Sequence, residues 1–183
     1  MNLQPTHLRN EIVELCPLRA EDLDPLYAVA SDPLIWEQHP TPTRYQRPVF
    51  ETYFRGAMKS GGAFLIKDFS GAVIGCTRFY DHLPEVKQIN IGYTFFARSC
   101  WGKSINSGVK RLMLAYAFQY VDSVIFHVGA NNMRSRRALE KIGATPIGEK
   151  SVAYFGEATL LNVVYQIQKS GFTSSSIPGI NES

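Results

Sequence analysis

The chain has 183 residues, of which 45% are hydrophobic and 19% are charged, and its formal net charge is +3 at pH 7. These values fit one globular domain, and the charge is too small to indicate a nucleic acid as a partner. No apolar run approaches the roughly 20 residues that span a bilayer, and the first residues lack the layout of a signal peptide, so we expect a cytoplasmic protein without membrane contact.

The cysteines give no sign of a disulfide framework or a metal site. Cys16, Cys76 and Cys100 are odd in number, far apart and without C-x-x-C spacing. That pattern argues against both disulfide pairing and zinc binding. We therefore expect no metal, and buried thiols at Cys16 and Cys76.

The first quarter of the chain predicts one strand and two helices. Residues 11–18 predict the strand, and residues 20–30 predict the first helix. Residues 31–47 are rich in proline and predict an irregular but ordered connection. Pro48 then predicts the start of a second helix, which should end at Gly61.

The next stretch predicts three strands. Residues 63–67 and 72–80 flank the turn formed by residues 68–71 and predict a hairpin. Residues 81–85 are polar, contain a proline and predict a link. Residues 87–95 predict the third strand of this group.

The second half of the chain predicts two helices, a strand between them and two closing strands. Apolar residues at helical spacing from Ile105 to Tyr120 predict the long helix, and a short helix from Ser135 should end at Gly143. The predicted strands lie over residues 124–128, 145–151 and 158–168. From Lys169 the sequence is rich in Ser and Gly and predicts a disordered tail, so we expect one domain over residues 1–168 and a tail over 169–183.

Residues 89–107 run from an apolar strand through a polar loop into a helix, and this join predicts a phosphate site. Unpaired N–H groups and the helix dipole favour an anion at a helix start. Gly102, Lys103 and Ser104 match the end of a P-loop, but Ala97 replaces its first glycine, and no strand ending in a metal-binding Asp follows. A P-loop nucleotide-binding enzyme is therefore a remote alternative.

A second motif follows the strand over residues 124–128. Residues 129–135 read Gly-Ala-Asn-Asn-Met-Arg-Ser, and residues 139–143 read Leu-Glu-Lys-Ile-Gly. Together with residues 89–107, this motif resembles the GNAT (GCN5-related) N-acetyltransferases, in particular the branch of ribosomal-protein N-acetyltransferases. Neither motif is specific alone, but the pair in this order is. The resemblance covers about residues 11–168.

The resemblance implies an α/β (α+β) fold. Its sheet would be mixed, mainly antiparallel and of about seven strands, with helices on both faces and two central strands splayed to hold acyl-CoA. The pantetheine arm would pair with Phe95 and Ala97 and lie beside Phe96. The pyrophosphate would lie over the N–H groups of residues 101–105. Asn132 and Ser135 would face the pantetheine, and capping of the last helix is the alternative role for both.

The resemblance gives one set of cofactor-binding residues. The set is Phe95, Phe96, Ala97, Arg98, Trp101, Gly102, Lys103, Ser104, Ile105, Asn132 and Ser135. Further basic residues near the two motifs, Arg134, Arg136 and Arg137, are explained by the CoA phosphates or by solvation of a helix face. Ser104 replaces the small residue usual in the family and could cap the long helix.

The expected activity is acetyl-CoA-dependent transfer of an acetyl group to a primary amine, by direct attack in a ternary complex. The amine must first lose its proton, and a backbone N–H of Phe95 or Phe96 would stabilise the oxyanion. Two positions depart from the family. Leu139 stands where many members have a Tyr that protonates the thiolate, and Asn90 stands where many have a Glu. Asn90 can hold a water but cannot be the base.

His127 has the most suitable pKa for a base, so His127 and Asn90 are the catalytic candidates. Other candidates for proton transfer are Tyr93, Tyr154, Asp81 and His39. The acceptor side should be formed by Trp36, His39, Arg47 and Tyr93, with Arg47 as a carboxylate partner.

The partners implied are acetyl-CoA and an amine acceptor, which is either a protein N-terminus or a small molecule. The oligomeric state is a monomer or a homodimer. Because the usual Glu and Tyr are absent, a non-catalytic acyl-CoA-binding or regulatory module is the main alternative function.

Overall fold

The computed structural model describes residues 1–153, 155–156 and 158–172. In this part of the chain the strands are β1 (Leu8–Arg9), β2 (Val13–Pro17), β3 (Ala63–Asp68), β4 (Val73–Leu83), β5 (Gln88–Phe96), β6 (Ser123–Gly129), β7 (Thr145–Ala153) and β8 (Thr159–Gln168). The α-helices are α1 (Leu23–Ala30), α2 (Arg47–Ser60), α3 (Ile105–Ala117) and α4 (Met133–Glu140). None of the helices in the described residues is long and apolar enough to cross a membrane.

All the strands belong to one sheet in the order β1-β2-β3-β4-β5-β6-β8-β7. Neighbouring strands are antiparallel except β5 and β6, which are parallel. The predicted mixed, mainly antiparallel sheet is therefore confirmed. The predicted order of strands and helices is also confirmed, with β1 as one extra short strand at the sheet edge.

Side-chain alternation along the strands places one core cluster on each face of the sheet. Phe64 and Ile66 of β3 belong to the cluster that packs against α3. Ala63 and Leu65 belong to the second cluster, which packs against α1 and α2. Because successive strand residues point to opposite faces, one apolar run serves both clusters.

Several predicted boundaries move, and those of β4 and α3 bear on the site. β4 continues to Leu83, which pairs with Gln88 after a register shift, so the predicted polar link is reduced to the turn Pro84–Val86. The helix α3 ends at Ala117, and Tyr120 is 50% exposed rather than part of its buried face.

The predicted tail is partly described. Residues Lys169–Gly171 form a 3₁₀ turn, and the ring of Phe172 lies 5.1 Å from that of Phe118. The described structure therefore extends to Phe172, and the rest of the predicted tail, residues 173–183, lies outside the described residues.

The strands β5 and β6 pair only at their beginnings. Residues 88–90 pair with residues 123–125, but β5 continues to Phe96 and β6 to Gly129 without further pairing between them. On their other sides β5 stays paired with β4, and β6 with β8. A slot therefore opens between the two central strands.

Candidate active site

The slot between β5 and β6 is a cavity of about 540 Å³. Its walls are the unpaired half of β5 (residues 91–96), the end of β6 (residues 126–129), the start of α3 and one face of α4. The slot has a mouth, where the loop before α3 faces α4, and a closed end, where the two strands begin to separate. The cavity is large enough for a cofactor arm and part of an acceptor.

A bulge in β5 lies in the wall of the slot. Cys76 pairs with Phe95 and Arg78 with Gly92, so two residues of β5 face one residue of β4. Tyr93 takes a positive φ of 53° there, and its carbonyl accepts a 2.8 Å hydrogen bond from the Tyr53 hydroxyl. Bulges are common beside active sites because they redirect backbone groups and side chains.

The backbone at the end of β5 corrects one prediction. The Ala97 N–H donates to the Ile74 carbonyl at 2.8 Å, and the Ala97 carbonyl accepts from the Cys100 N–H at 2.9 Å. The Phe95 carbonyl also lies towards β4, since a Cβ on Gly75 would come within 2.1 Å of it. Backbone N–H and C=O groups point to alternate sides along a strand, so the groups that face the slot are those of Phe96 rather than those of Phe95 or Ala97.

The predicted phosphate loop has the expected form. A 3₁₀ turn over Arg98–Cys100 leads into a second turn, and α3 begins at Ile105. Gly102 takes a φ of 74°, which favours glycine. Trp101, Gly102 and Lys103 line the slot, whereas Ser104 and Ile105 are not among its lining residues.

The predicted helix cap at Ser104 is wrong. Ser104 is the N-cap residue of α3, but its hydroxyl makes no capping hydrogen bond. The Ser104 carbonyl instead accepts from the Gly108 N–H at 2.8 Å, so the helix begins through its backbone. The N–H groups of the first turn have no partner within the helix, as at any helix start.

Arg98 does not face the slot. Its guanidinium forms an ion pair with Asp32, and Asp32 also accepts from the Leu34 N–H at 3.1 Å. The hydrogen bond from Arg98 lowers the pKa of Asp32. Arg98 therefore ties the phosphate loop to the segment after α1, and the prediction that it binds phosphate is not supported.

Other basic residues surround the mouth of the slot. Lys103, Arg134, Arg137 and Lys141 are all among the lining residues. The Arg134 guanidinium lies 3.9 Å from the centre of the Trp101 ring and 3.3 Å from a Glu37 carboxylate oxygen. The mouth is therefore positively charged and suits an anion.

Arg136 is turned away from the mouth. Its Nε donates to the Tyr165 hydroxyl at 3.1 Å, and a terminal nitrogen donates to the Ala130 carbonyl at 3.1 Å. These bonds fix the loop between β6 and α4, so Arg136 supports the site without lining it.

Asn132 and Ser135 combine the two roles that the sequence left open. The Asn132 side-chain oxygen accepts from the Ser135 N–H at 3.1 Å and so caps α4. Both residues also line the slot.

His127 lies at the closed end of the slot. Its Nδ1 is 3.2 Å from the Tyr80 hydroxyl, and both residues line the cavity. Burial, followed by the positive charge of Lys150, holds the pKa of His127 below its ordinary value, while Asp81 opposes this shift. The imidazole is therefore neutral at pH 7 and able to accept a proton.

Asn90 lies behind this end of the slot and is not among its lining residues. Its side-chain nitrogen donates to an Asp81 carboxylate oxygen at 3.2 Å, and its side-chain oxygen has no hydrogen-bond partner among the described residues. Asn90 is buried and bonded to Asp81, which is exposed, and neither residue lines the slot. The role of Asn90 in holding a catalytic water stays a prediction.

One wall of the slot is aromatic. Trp36, Tyr80 and Tyr93 line it, and the Trp36 ring packs 5.0 Å from that of Phe95. Trp36 is fixed by a 2.7 Å hydrogen bond from its Nε1 to the Ala30 carbonyl. Two of the predicted acceptor residues, Trp36 and Tyr93, thus meet in the cavity.

His39 also reaches this wall. Its Nδ1 accepts from the Thr41 N–H at 2.9 Å, and its Nε2 lies 3.1 Å from an Arg44 nitrogen. Burial, then the charge of Arg44, holds the pKa of His39 well below its ordinary value. Both ring nitrogens face donors, so His39 is an unsuitable base.

Arg44 was not identified from the sequence. It is 1% exposed, and its guanidinium lies 5.1 Å from the centre of the Trp36 ring and 4.9 Å from that of Tyr53. Nothing in the local sequence separates it from the surface arginines nearby, because its partners are brought together only by the fold.

Arg47 does not reach the slot, contrary to the prediction. It forms ion pairs of 2.7 Å with Asp24 and 2.8 Å with Glu51 on the outer face of α1 and α2. Tyr154, another candidate, lies outside the described residues. No cluster of three or more His, Cys, Asp or Glu suited to a metal ion is present within the part of the chain that the structure describes.

Comparisons with known proteins agree with this architecture. A family model of the acetyltransferase (GNAT) domain matches residues 13–145. A GCN5-related N-acetyltransferase from Brucella melitensis is similar at 24% identity and a TM-score of 0.74, over 90% of this chain and 79% of that one.

Two further solved structures share the fold. RimJ from Mycobacterium smegmatis, solved with CoA-disulfide, is 17% identical with a TM-score of 0.67, over 91% of this chain and 84% of that one. A GNAT-family acetyltransferase from Bacillus anthracis is 19% identical with a TM-score of 0.71, over 88% and 98% of the two chains. No curated protein sequence gives a significant match.

Proposed function

The chain belongs to the GNAT acetyltransferase family, and on that premise we propose that it transfers an acetyl group from acetyl-CoA to a primary amine by direct attack in a ternary complex. The observation that carries the proposal is the slot between β5 and β6. It leads from a positively charged mouth at the start of α3 to a closed end that holds His127 and Tyr80.

The mouth supplies what a pyrophosphate needs. The N–H groups around Gly102 and at the start of α3 present positive dipole ends, and Lys103, Arg134 and Arg137 add full charges. The slot-side N–H and C=O groups of Phe96 can pair with the amides of the pantetheine arm. This exposed strand edge holds an extended ligand as it would hold another strand.

The closed end supplies the proton transfer. An alkyl amine has a pKa near roughly 10 and must be neutral to attack the thioester carbonyl. His127 is neutral because burial lowers its pKa, so it can take the proton directly or through water. Tyr80 orients the ring through Nδ1, and a slot-side N–H of β5 stabilises the oxyanion.

The pair of His127 and Tyr80 favours catalysis over the alternative of a non-catalytic acyl-CoA-binding module. That module would need only the mouth. The P-loop alternative finds no support, because β5 runs antiparallel to β4 and the glycine loop follows a strand of a mainly antiparallel sheet.

The acceptor meets the wall formed by Trp36, His39, Tyr80 and Tyr93. A primary amine at a protein N-terminus and one on a small molecule both suit this wall. We therefore propose that the assay include both classes.

The test is to incubate the protein with acetyl-CoA and a panel of amines and N-terminal peptides, while following the release of free thiol. Thermal shifts with acetyl-CoA and with ATP are measured in parallel. We expect stabilisation by acetyl-CoA and thiol release with at least one acceptor. Stabilisation without turnover on any acceptor would favour the binding module, and stabilisation by ATP alone would overturn the proposal.

A further inference from the structure

A buried lysine lines the slot and has no role in the mechanism so far. Lys110 of α3 is 5% exposed, and its Nζ lies 2.5 Å from the Thr94 hydroxyl oxygen. The same nitrogen lies 5.7 Å from the centre of the Phe126 ring. Thr94 belongs to β5 and Phe126 to β6, so the ammonium sits between the two separating strands.

The position of Lys110 separates it from the other cations of the slot. Phe126 directly follows Ile125, the last residue of β6 that pairs with β5. Lys103, Arg134 and Arg137 lie instead at the mouth. If the pyrophosphate lies at the mouth, the arm of acyl-CoA carries its sulfur inward along β5, towards Lys110.

The surroundings of Lys110 do not balance its charge. Its described hydrogen-bond partner is a neutral hydroxyl, and no ion pair among the described residues includes it. A buried ammonium without a counter-ion is costly, so an anion that forms beside it would be stabilised. Cleavage of a thioester forms an anion, the thiolate.

The acid that this thiolate requires is not supplied by α4. Leu139 of α4 lines the slot and is buried, and it carries no proton to donate. Direct transfer therefore leaves the thiolate to be neutralised by another group on the cofactor side of the slot.

We propose that Lys110 contacts the sulfur of acyl-CoA and protonates the departing thiolate. This assignment rests on the proposed acetyl transfer. The acceptor nitrogen bonds to the carbonyl carbon, the C–S bond breaks, and its electron pair goes to sulfur. The sulfur takes a proton from Nζ, the acceptor's proton goes to His127, and Lys110 regains a proton from solvent.

The acidity of Lys110 suits this role. Burial lowers its pKa to about 7, and no charged group among the described residues adds to that shift. A thiol has an ordinary pKa near roughly 8.5, so proton transfer from the ammonium to the thiolate is favourable.

The experiment measures the pKa of the thiol of CoA bound to the enzyme, from the ultraviolet absorbance of the thiolate. We expect a lower thiol pKa on the wild-type protein than in water. In Lys110→Met the thiolate fraction at a given pH should fall about tenfold, which is a change of about one in pKa. Met fills a similar volume without a charge, and thermal unfolding checks that the variant folds.

Measurements of kcat distinguish the effect of the positive charge of Lys110 from the effect of the proton that it donates. Lys110→Arg should keep the low thiol pKa but lose kcat, because a guanidinium does not release its proton. Lys110→Met should lose kcat on the order of 100-fold, with little change in affinity for acetyl-CoA. Lys59→Met, on the exposed face of α2, is the matched control and should behave as the wild type.

Two failures are distinguishable. If CoA binds but Lys110→Met leaves the thiol pKa and kcat unchanged, the assignment of Lys110 is wrong and the proposed function stands. If the wild-type protein binds no CoA, the proposed function fails and the assignment fails with it.

Discussion

The mouth and the closed end of the slot are built in different ways. The mouth consists of the turn at Gly102, the start of α3 and charged side chains that remain partly exposed. The closed end consists of aromatic rings and two buried or partly buried titratable groups, His127 and Lys110. On the proposed function, this contrast assigns binding and chemistry to separate residues, so single substitutions should affect one and spare the other.

The largest effect should follow from Gly102→Glu. The introduced carboxylate would place a negative charge at the mouth and repel the pyrophosphate, and the φ of 74° at Gly102 is strained for any side chain. We expect no measurable binding of acetyl-CoA by calorimetry. Gly71→Glu, in the hairpin turn at a φ of 81°, carries similar strain away from the slot and should bind normally. Equal affinity in both variants would show that the mouth is misplaced.

The next effect concerns the closed end alone. His127→Gln should lower kcat about 100-fold while the affinity for acetyl-CoA stays unchanged. Because the pKa of His127 lies below its ordinary value, wild-type kcat/KM should fall in the acid range as the ring gains a proton. A separate fall at higher pH is expected from Lys110, which loses its proton with a pKa of about 7. This fall of kcat/KM at low pH should be absent in His127→Gln. If kcat/KM of His127→Gln falls at low pH as that of the wild type does, the base is another residue.

A smaller effect distinguishes two arginines near the mouth. Arg134→Ala should weaken acetyl-CoA binding about tenfold, the usual loss for a hydrogen bond to a charged group. Arg98→Ala should leave the affinity unchanged, because Arg98 is engaged with Asp32. Calorimetric titration of both variants checks the contrast, and the reverse result would mean that Arg98 turns into the slot on binding.

The smallest effect tests the bulge that joins the two ends. Tyr53→Phe removes the hydroxyl that holds the Tyr93 carbonyl and should cost about 1 kcal/mol of unfolding free energy in denaturant titrations. It should also lower kcat modestly, because the unpaired half of β5 then loses part of its support. A loss of stability without any loss of kcat would make the bulge purely structural.

The turns and helix starts around the mouth could be predicted from the sequence because their signals are local. The turn at Gly102, the helix start at Ile105 and the cap at Asn132 each depend on residues within a few positions. The same holds for most strands and helices. The short strand β1 was not predicted, because two residues are too few to show a periodicity.

The closed end depends on contacts between residues that are distant in the sequence, so fewer of its residues could be predicted. Tyr80 and His127 lie 47 residues apart and meet only because β4 and β6 flank β5. Arg98 and Arg47 were expected in the site, but each forms an ion pair outside it, Arg98 with Asp32 and Arg47 with Asp24. One sequence signal could have indicated Lys110, namely a lysine on the apolar face of α3.

The central claim is that acetyl-CoA lies in the slot, with its pyrophosphate at the mouth and its arm along the unpaired half of β5. Amide hydrogen exchange with and without acetyl-CoA tests this most directly. We predict added protection at Phe96 and over residues 101–107, and none over β2 and β3. Protection absent from these residues, or produced equally by ATP, would contradict the account.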